Sequence, residues 1–459
     1  MTEFDVVVIG TGTAGQTAAH ELNAKGLRVA VVEKSARPGG TCALAGCQAK
    51  KWFYEGAEVV AKINHLKGKG FLGVPKASWA DFLREKNGFT KSVPENTLKG
   101  FEKAGIKFVS GTARFLDKHT LHAGTRKISA PFFVIASGAR PMPLRIKGIE
   151  HAITSDQFLE LSSLPGRFVF IGGGFISFEF AHFVARLGDG PSRRTTILEA
   201  ASRPLGPFDT EMVELLVEAS HAEGIDIQKG VEILGIERKG EGFNVITRDN
   251  GSYAADVVVN SAGRIADIEG LGLDRAGINH TPKGIEVNER MQTTQSHIYA
   301  IGDCANTIQL ARVADYEAKV AANTILGYKE GPFGPGIDYS AIAAILFTYP
   351  QYAMVGSTED ALKRDNIPYT KSFGKNLTWP TYRRIGMSCA AYKILVGPDG
   401  NFLGAHILSD NASGIINALR MAMINQIPVE TLYRQSFLTP YPTRESDMLY
   451  MLKPLTQEN

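Results

Sequence analysis

The chain has 459 residues, 44% of them apolar, which is enough for two to four domains with a substantial core. Its 50 basic and 47 acidic residues leave a net charge of +3, so composition indicates neither a nucleic-acid partner nor a membrane partner. Four cysteines are too few for a secreted disulfide scaffold, and no apolar run is long enough to span a membrane. The first residues enter a strand at once and leave no room for a targeting peptide, so we expect a cytoplasmic protein.

The beginning of the chain has the pattern of a βαβ unit. Residues 4–9 are almost continuously apolar, which predicts a buried parallel strand. A glycine-rich turn follows at residues 10–15, a helix is predicted over 16–24, and a second strand over 27–32 runs into Glu33. A strand, a glycine turn and a helix in this order are typical of a dinucleotide-binding domain.

The first glycine turn fits the G-x-G-x-x-G pattern in the setting that this pattern requires. Gly10 permits a tight turn, Gly12 permits the backbone to approach a pyrophosphate, and Gly15 permits close packing of the helix on the strand. Glu33 lies eighteen residues after Gly15 and can accept hydrogen bonds from a ribose. Together these residues predict that the first unit binds a dinucleotide.

A second βαβ unit begins about 160 residues further along. Residues 168–171 predict a strand, residues 172–177 a glycine turn, and residues 179–187 a helix. A second strand over 195–198 runs into Glu199. Two such units predict two nucleotide-binding domains.

The second turn keeps two of the three glycines of the pattern. Gly172 and Gly174 occupy the first two positions, and Ser177 stands where the third glycine would be. Serine is small enough to preserve the close packing that this position needs. The turn is therefore interpreted as a second cofactor site.

The identity of the second dinucleotide depends on the charges near the end of its second strand. Glu199 accepts hydrogen bonds from a free 2′-hydroxyl but repels a 2′-phosphate, which favours NADH over NADPH. Arg193 and Arg194 precede the strand, at the end away from the cofactor crevice, and are interpreted as a solvated loop. Arg203 follows the strand on the correct side, so NADPH remains possible.

Further strands recur along the rest of the chain. Apolar runs at 132–136, 257–260 and 298–301 predict strands, and each runs into a glycine-bearing turn. The stretch 331–336 is the clearest linker by composition. Beyond it we predict a third, α+β domain with strands over 391–396 and 402–407 and a helix over 412–425.

A pair of cysteines follows directly behind two glycines. Cys42 and Cys47 are five residues apart in a stretch that enters a predicted helix, and a helix N-terminus lowers thiol pKa. Such a pair can open and close a disulfide during catalysis. It is also compatible with a fixed disulfide or with two buried thiols, and the spacing alone leaves these alternatives open.

Six motifs occur along the chain in a fixed order: the turn 10–15, the pair Cys42/Cys47, and residues 135–138, 172–179, 262–264 and 299–303. In this order they resemble the FAD-dependent pyridine nucleotide–disulfide oxidoreductases, the group that contains dihydrolipoamide dehydrogenase, glutathione reductase and mercuric reductase. The resemblance covers nearly the whole length. It implies an α/β fold with two Rossmann-like dinucleotide-binding domains, for FAD and NAD, and an α+β C-terminal dimerisation domain. The implied domains are 1–145 with 264–335 for FAD, 146–263 for NAD(P) and 336–459 for dimerisation.

The resemblance also implies roles for single residues. FAD would occupy the first unit, with Asp303 holding its ribityl or pyrophosphate region, and a nicotinamide dinucleotide would occupy the second. Cys47 would lie against the flavin as the charge-transfer thiol, while Cys42 would exchange with substrate. Lys51 aligns with a lysine beside the flavin N5, and Glu179 with its ion-pair partner. The other implied cofactor residues are Gly40, Thr41, Ser137, Gly138, Gly263, Arg264 and Gly302.

The C-terminal segment departs from the family pattern. The family typically has His-Pro-Thr-x-x-Glu, whose histidine reaches across a dimer to deprotonate the dithiol substrate, whereas Tyr441 and Ser446 stand at these positions here. Tyrosine, with a reference pKa of about 10, is a poor general base at neutral pH. The resemblance predicts a homodimer in which Tyr441 is supplied to the partner subunit's active site. It favours a dihydrolipoamide dehydrogenase-like enzyme acting on a small dithiol, its disulfide or a lipoyl-protein.

Two alternatives follow from the missing histidine. One is a mercuric reductase-like enzyme or another disulfide reductase using NADPH, although the tail 451–459 lacks the cysteine pair that mercuric reductases normally carry. The other is a flavoprotein docking module without dithiol turnover, against which the intact Cys42/Cys47 pair argues. Cys304 and Cys389 are interpreted as structural, since buried cysteine is common.

Overall fold

The computed structural model describes residues 3–73, 75–188, 193–249, 251–328 and 336–456. The chain divides into two compact units, each of which is discontinuous in sequence. Unit 1 consists of Met1–Trp52, Leu83–Pro143 and Gly263–Tyr339. Unit 2 consists of Phe53–Phe82, Leu144–Ala262 and Ser340–Asn459.

The strands are numbered in chain order. They are β1 (Val6–Ile9), β2 (Val29–Glu33), β3 (Lys107–Ser110), β4 (Ala113–Asp117), β5 (Thr120–Ala123), β6 (Arg126–Ser129), β7 (Phe132–Ile135), β8 (Ala139–Pro141), β9 (Ile153–Thr154), β10 (Arg167–Ile171), β11 (Arg194–Glu199), β12 (Ile225–Lys229), β13 (Ile233–Lys239), β14 (Gly242–Thr247), β15 (Ser252–Ala255), β16 (Val257–Asn260), β17 (Arg264–Ala266), β18 (His280–Thr281), β19 (Gly284–Ile285), β20 (Ile298–Ala300), β21 (Ala343–Leu346), β22 (Gln351–Gly356), β23 (Thr370–Lys375), β24 (Ala391–Val396) and β25 (Phe402–Ser409).

The helices follow the same convention. They are α1 (Thr13–Ala24), α2 (Gly40–Leu44), α3 (Cys47–Leu66), α4 (Trp79–Ala104), α5 (Ser155–Phe158), α6 (Phe175–Arg186), α7 (Thr210–Ala222), α8 (Leu273–Ala276), α9 (Ala311–Ile325), α10 (Glu359–Arg364), α11 (Pro380–Arg384), α12 (Ala412–Ile424), α13 (Val429–Ser436) and α14 (Met448–Leu452). No α-helix among these described residues is long and apolar enough to cross a membrane.

Unit 1 is built on a parallel sheet with the strand order β20-β7-β1-β2-β3. The central strand β1 is buried along its whole length, because α1 and α9 pack against one face of the sheet and the antiparallel sheet β4-β5-β6 packs against the other. The carboxyl ends of these strands meet at one edge, where Glu33 ends β2 and Gly10, Ser137 and Gly302 follow β1, β7 and β20. Ligands bind at this edge in open α/β sheets, so the topology gathers the first group of predicted cofactor residues.

Unit 2 repeats this arrangement in a parallel sheet with the order β12-β11-β10-β16-β9. Gly172 and Glu199 stand at the carboxyl ends of β10 and β11, as Gly10 and Glu33 do in unit 1. The backbone of Gly172 donates to Leu198 O at 2.8 Å, as that of Gly10 donates to Val32 O at 2.8 Å. The two predicted βαβ units are therefore confirmed as two copies of one local design.

The C-terminal part of unit 2 forms an antiparallel sheet with the order β21-β22-β25-β24-β23. Its core joins the buried strand residue Ile407 with Leu419 of α12 and Tyr382 of α11. Ala61 of α3 belongs to the same core, and Gln351 donates to the Tyr54 hydroxyl at 2.7 Å. This packing explains why residues 53–82 group with unit 2, whereas the sequence placed them within 1–145.

The predicted elements differ from the observed ones mainly at their ends. The first helix begins at Thr13 rather than at residue 16, and the strand predicted over 402–407 continues to Ser409. Most of the predicted linker, residues 331–335, lies outside the described residues. The three-domain boundaries remain a prediction.

Candidate active site

The first glycine turn combines two close contacts with one open position. Gly10 has a φ of +109°, and a Cβ there would lie 2.3 Å from Ala136 O. A Cβ on Gly15 would lie 2.1 Å from Gly10 O. A Cβ on Gly12 would meet only Gly40 Cα, at 3.8 Å. Gly10 and Gly15 therefore close the turn, while Gly12 leaves its backbone accessible to a ligand.

Glu33 is oriented by the turn that it faces. One carboxylate oxygen accepts from Thr11 N at 2.9 Å and from Thr11 Oγ1 at 2.6 Å, and the other accepts from Ser35 N at 2.8 Å. A carboxylate has about four acceptor positions, so these bonds leave capacity for a ribose. Thr11 was not singled out from the sequence, although it lies inside the glycine motif.

The two cysteines lie on either side of a break between helices. Cys42 is in α2 and Cys47 is the first residue of α3, and the two are thiols that no disulfide joins. Gly40 begins α2 with a φ of +75°, and a Cβ there would lie 2.3 Å from Gly12 Cα. This approach of two glycines packs α2 directly onto the glycine turn, which places the thiol pair beside the predicted dinucleotide site.

The two thiols differ in their electrostatic environment. A hydrogen bond with Cys47 and burial raise the pKa of the Cys42 thiol far above its usual range. The Thr13 hydroxyl and the Gln48 backbone N–H act in the opposite direction. Cys47 is exposed at the N-terminus of α3, where a helix favours a thiolate. The surroundings of Cys42 therefore disfavour its thiolate.

Lys51 and Glu179, the predicted ion pair, lie in different units. Lys51 is one turn after Cys47 on α3, and its Nζ is shielded from solvent. Glu179 lies on α6, is 1% exposed, and accepts from Phe347 N at 2.9 Å. The pairing of the two remains a prediction.

The other predicted FAD residues of unit 1 surround the short pair of strands β8 and β17. Arg264 Nη2 donates to Ala139 O at 2.6 Å, and Gly138 O accepts from Asp267 N at 2.9 Å. Gly263 has a φ of +131°, and its O accepts from Met142 N at 3.0 Å. Burial raises the pKa of Asp303, and the charge of Arg264 opposes this rise. A cation and an acid thus lie close enough to interact electrostatically.

The second glycine turn is packed differently from the first. A Cβ on Gly172 would lie 2.5 Å from Ala262 Cα, whereas one on Gly174 would find no atom within 4 Å. Ser177 Oγ donates to Gly172 O and lies 2.6 Å from Ser261 Oγ. The serine therefore bonds to the Gly172 carbonyl, the counterpart of the Gly10 carbonyl that a Cβ on Gly15 would meet in the first turn.

Glu199 is held in the same way as Glu33. Its carboxylate accepts from Gly173 N at 2.6 Å and from Ala201 N at 2.7 Å. Arg194 begins β11, at the end opposite to Glu199. Arg203 donates to Phe208 O at 3.0 Å and to Gly206 O at 2.6 Å, so its guanidinium closes its own loop.

The C-terminal segment places Tyr441 at the surface of unit 2, with 73% of the residue exposed. Ser446 is buried and exchanges hydrogen bonds with Thr443, its Oγ donating to Thr443 O at 2.7 Å. Glu445 accepts from Asn411 Nδ2 at 2.6 Å. Ser446 and Glu445 are thus held by partners other than Tyr441. The paired base and carboxylate of the family pattern are not reproduced among the described residues of this unit.

Comparison with known proteins agrees with this geometry. The model of the pyridine nucleotide-disulphide oxidoreductase family matches residues 4–318, and that of the family's dimerisation domain matches residues 342–448. The solved structure of the HOCl-induced flavoprotein disulfide reductase RclA from Escherichia coli has a TM-score of 0.87 at 24% identity. The match covers 99% of this chain and 100% of the RclA chain, so the two proteins share the same fold.

Three curated relatives with different substrates have similar identities. Glutathione reductase from Nostoc sp. is 29% identical, covering 92% of this chain and 94% of the relative. Mercuric reductase from Staphylococcus aureus is 30% identical, covering 96% of this chain and 80% of the relative. Dihydrolipoyl dehydrogenase from Chlamydia pneumoniae is 29% identical, covering 94% of this chain and 93% of the relative. The chain belongs to the pyridine nucleotide–disulphide oxidoreductases, flavoprotein enzymes that use FAD with NAD(P)H as electron donor.

Proposed function

We propose that this enzyme passes electrons between NAD(H) and a dithiol or disulfide through Cys42 and Cys47, in the manner of a dihydrolipoamide dehydrogenase. The observation that carries the proposal is the thiol pair itself, split between α2 and α3 and packed onto the first glycine turn. Cys42 is half-buried and Cys47 is exposed.

The residues of unit 1 fit FAD. The open backbone at Gly12 suits a pyrophosphate, Glu33 suits a ribose, and Asp303 suits the polar chain that joins the pyrophosphate to the ring. When bound, FAD supplies the hydride chemistry that joins the nicotinamide to the thiols. The protein residues orient it and keep the thiol pair within reach.

The thiol chemistry follows from the different environments of the two sulfurs. In dithiol oxidation, a substrate thiolate attacks Cys42 Sγ of the oxidised pair, which forms a mixed disulfide and releases Cys47 as thiolate. The second substrate thiolate then attacks the substrate sulfur of the mixed disulfide, which releases Cys42. The substrate loses two electrons and two protons: the enzyme disulfide gains both electrons, one proton ends on Cys42, and the other is released to solvent.

The carboxylate of Glu199 supports NADH as the preferred coenzyme. We expect Glu199→Ala to raise kcat/KM for NADPH relative to NADH by about tenfold, because a fixed charge that repels the 2′-phosphate is removed. The measurement is steady-state kinetics with both coenzymes. Arg203→Met is the matched control. The Arg203 guanidinium bonds to the carbonyls of its own loop, so we expect this variant to lower kcat/KM for both coenzymes without changing their ratio. An unchanged ratio in Glu199→Ala would contradict the assignment.

Tyr441 favours an alternative function, in which the enzyme reduces another disulfide or a metal ion instead of acting on lipoamide. This residue replaces the usual base with an exposed phenol. A panel of lipoamide, lipoylated protein, glutathione disulfide and Hg²⁺ distinguishes these substrates. We expect lipoamide to react fastest in the wild type, and Tyr441→His to increase that rate severalfold by restoring a base near neutral pKa. A higher rate with glutathione disulfide or Hg²⁺ would reject the lipoamide assignment. Flavin reduction by NADH without turnover of any of them would indicate the docking module.

A further inference from the structure

Glu317 is a buried carboxyl group to which the sequence motifs assign no role. It lies on α9 with 0% exposure, its Oε2 accepts from Gly302 N at 2.6 Å, and its Oε1 accepts from Tyr339 Oη at 2.7 Å. Burial raises the pKa of Glu317, and the nearby Asp303 carboxyl adds to the rise, while Thr307 and the two hydrogen bonds oppose it. A carboxyl buried this deeply is stable only while its acceptor positions are used.

The backbone group that Glu317 binds belongs to a tightly packed turn. Gly302 has a φ of +68°, and a Cβ there would lie 3.1 Å from the Ala14 side chain and 3.4 Å from that of Ala314. The turn is therefore enclosed between α1 and α9. Asp303 is the next residue, so the position of its carboxylate depends on how the Gly302 peptide is held.

Helix α9 is itself fixed against α1, which makes it a suitable anchor. Thr17 Oγ1 on α1 donates to Asp315 Oδ1 at 2.7 Å, and Lys319 pairs with Glu21 one turn further on. Glu317 lies between these two contacts in sequence and faces inward rather than toward the surface. The glutamate thus connects a rigid helix to the turn that carries Asp303.

We infer that Glu317 is a positioning residue for FAD, which acts by holding the Gly302 peptide so that Asp303 faces the cofactor. The inference rests on the proposed placement of FAD in unit 1. A carboxyl that only stabilised the fold would change the melting temperature, but it would not change FAD affinity in a way that depends on Asp303.

The test measures the FAD dissociation constant of the apoprotein by fluorescence titration. Glu317→Met keeps the side-chain volume but removes both acceptors, and we expect it to weaken FAD binding about tenfold. Glu317→Gln keeps a carboxamide acceptor and should weaken it about threefold. In an Asp303→Asn background, either change should alter the dissociation constant less than about twofold, because coupled residues are not additive.

The matched control is Thr324→Val on the same helix, because the Thr324 hydroxyl donates to Val320 O within α9 at 2.9 Å and its loss should leave FAD affinity unchanged. Equal affinity in the wild type and Glu317→Gln, or an equal loss with and without Asp303→Asn, would overturn the inference. If Glu317→Met fails to fold, Glu317→Gln carries the test. Unchanged affinity in Asp303→Asn alone would instead reject the proposed role of Asp303.

Discussion

Replacing Cys47 with serine is expected to lower disulfide turnover by at least about a thousandfold, because thiol–disulfide exchange needs both sulfurs of the pair. It should also remove the long-wavelength absorbance that a thiolate gives beside a flavin. Cys47 is the sulfur at the N-terminus of α3, where a thiolate is favoured, whereas a hydrogen bond with Cys47 and burial raise the pKa of Cys42. Anaerobic titration with NADH measures the absorbance, and steady-state assay with the preferred disulfide measures turnover.

Cys42→Ser separates the two roles. We expect it to lose turnover to the same extent but to keep the long-wavelength band, because the Cys47 thiolate remains. NADH should still reduce the flavin in both variants. Cys389→Ser, at a half-buried thiol of unit 2, is the control and should retain turnover. A long-wavelength band that survives in Cys47→Ser would reject the assignment of the two sulfurs.

The second large effect is expected at Gly10. A Cβ there would lie 2.3 Å from the Ala136 carbonyl oxygen, a backbone atom in the neighbouring strand connection that cannot move aside. We expect Gly10→Ala to cost more than about 4 kcal/mol in the free energy of unfolding. It should also reduce the flavin bound per chain, since the turn that receives the pyrophosphate must open. Chemical denaturation and flavin absorbance measure the two losses.

Gly26→Ala separates backbone strain from the steric clash. Gly26 also has a positive φ, of +87°, but a Cβ there would find no atom within 4 Å. We expect this variant to lose only about 1 kcal/mol and to retain its full flavin content. Equal losses in the two variants would show that strain alone, rather than contact with Ala136, explains the requirement for glycine at position 10.

The comparison of Ser177 with Gly15 shows how far a motif predicts local structure. The sequence indicated that a small residue suffices at the third position of the turn. The structure shows that serine does more than fit, because its hydroxyl donates to the Gly172 carbonyl. Whether a side chain at this position clashes or bonds depends on the distance between helix and turn, which the motif does not specify.

The sequence by itself determined the two βαβ units, the acids that end their second strands, and the cysteine pair. These features depend on residue type and spacing within about thirty residues, a range over which local geometry follows from chain connectivity. Their chemistry could therefore be predicted before any packing was known.

Tertiary structure alone decided the contacts between distant segments. The approach of Gly40 to Gly12 joins the thiol pair to the glycine turn, and Glu317 joins α9 to the turn before Asp303. It also grouped residues 53–82 with unit 2 through the core that contains Ala61. Such contacts depend on how sheets and helices pack against one another. The distances between segments that are far apart in the chain cannot be predicted from a local sequence pattern.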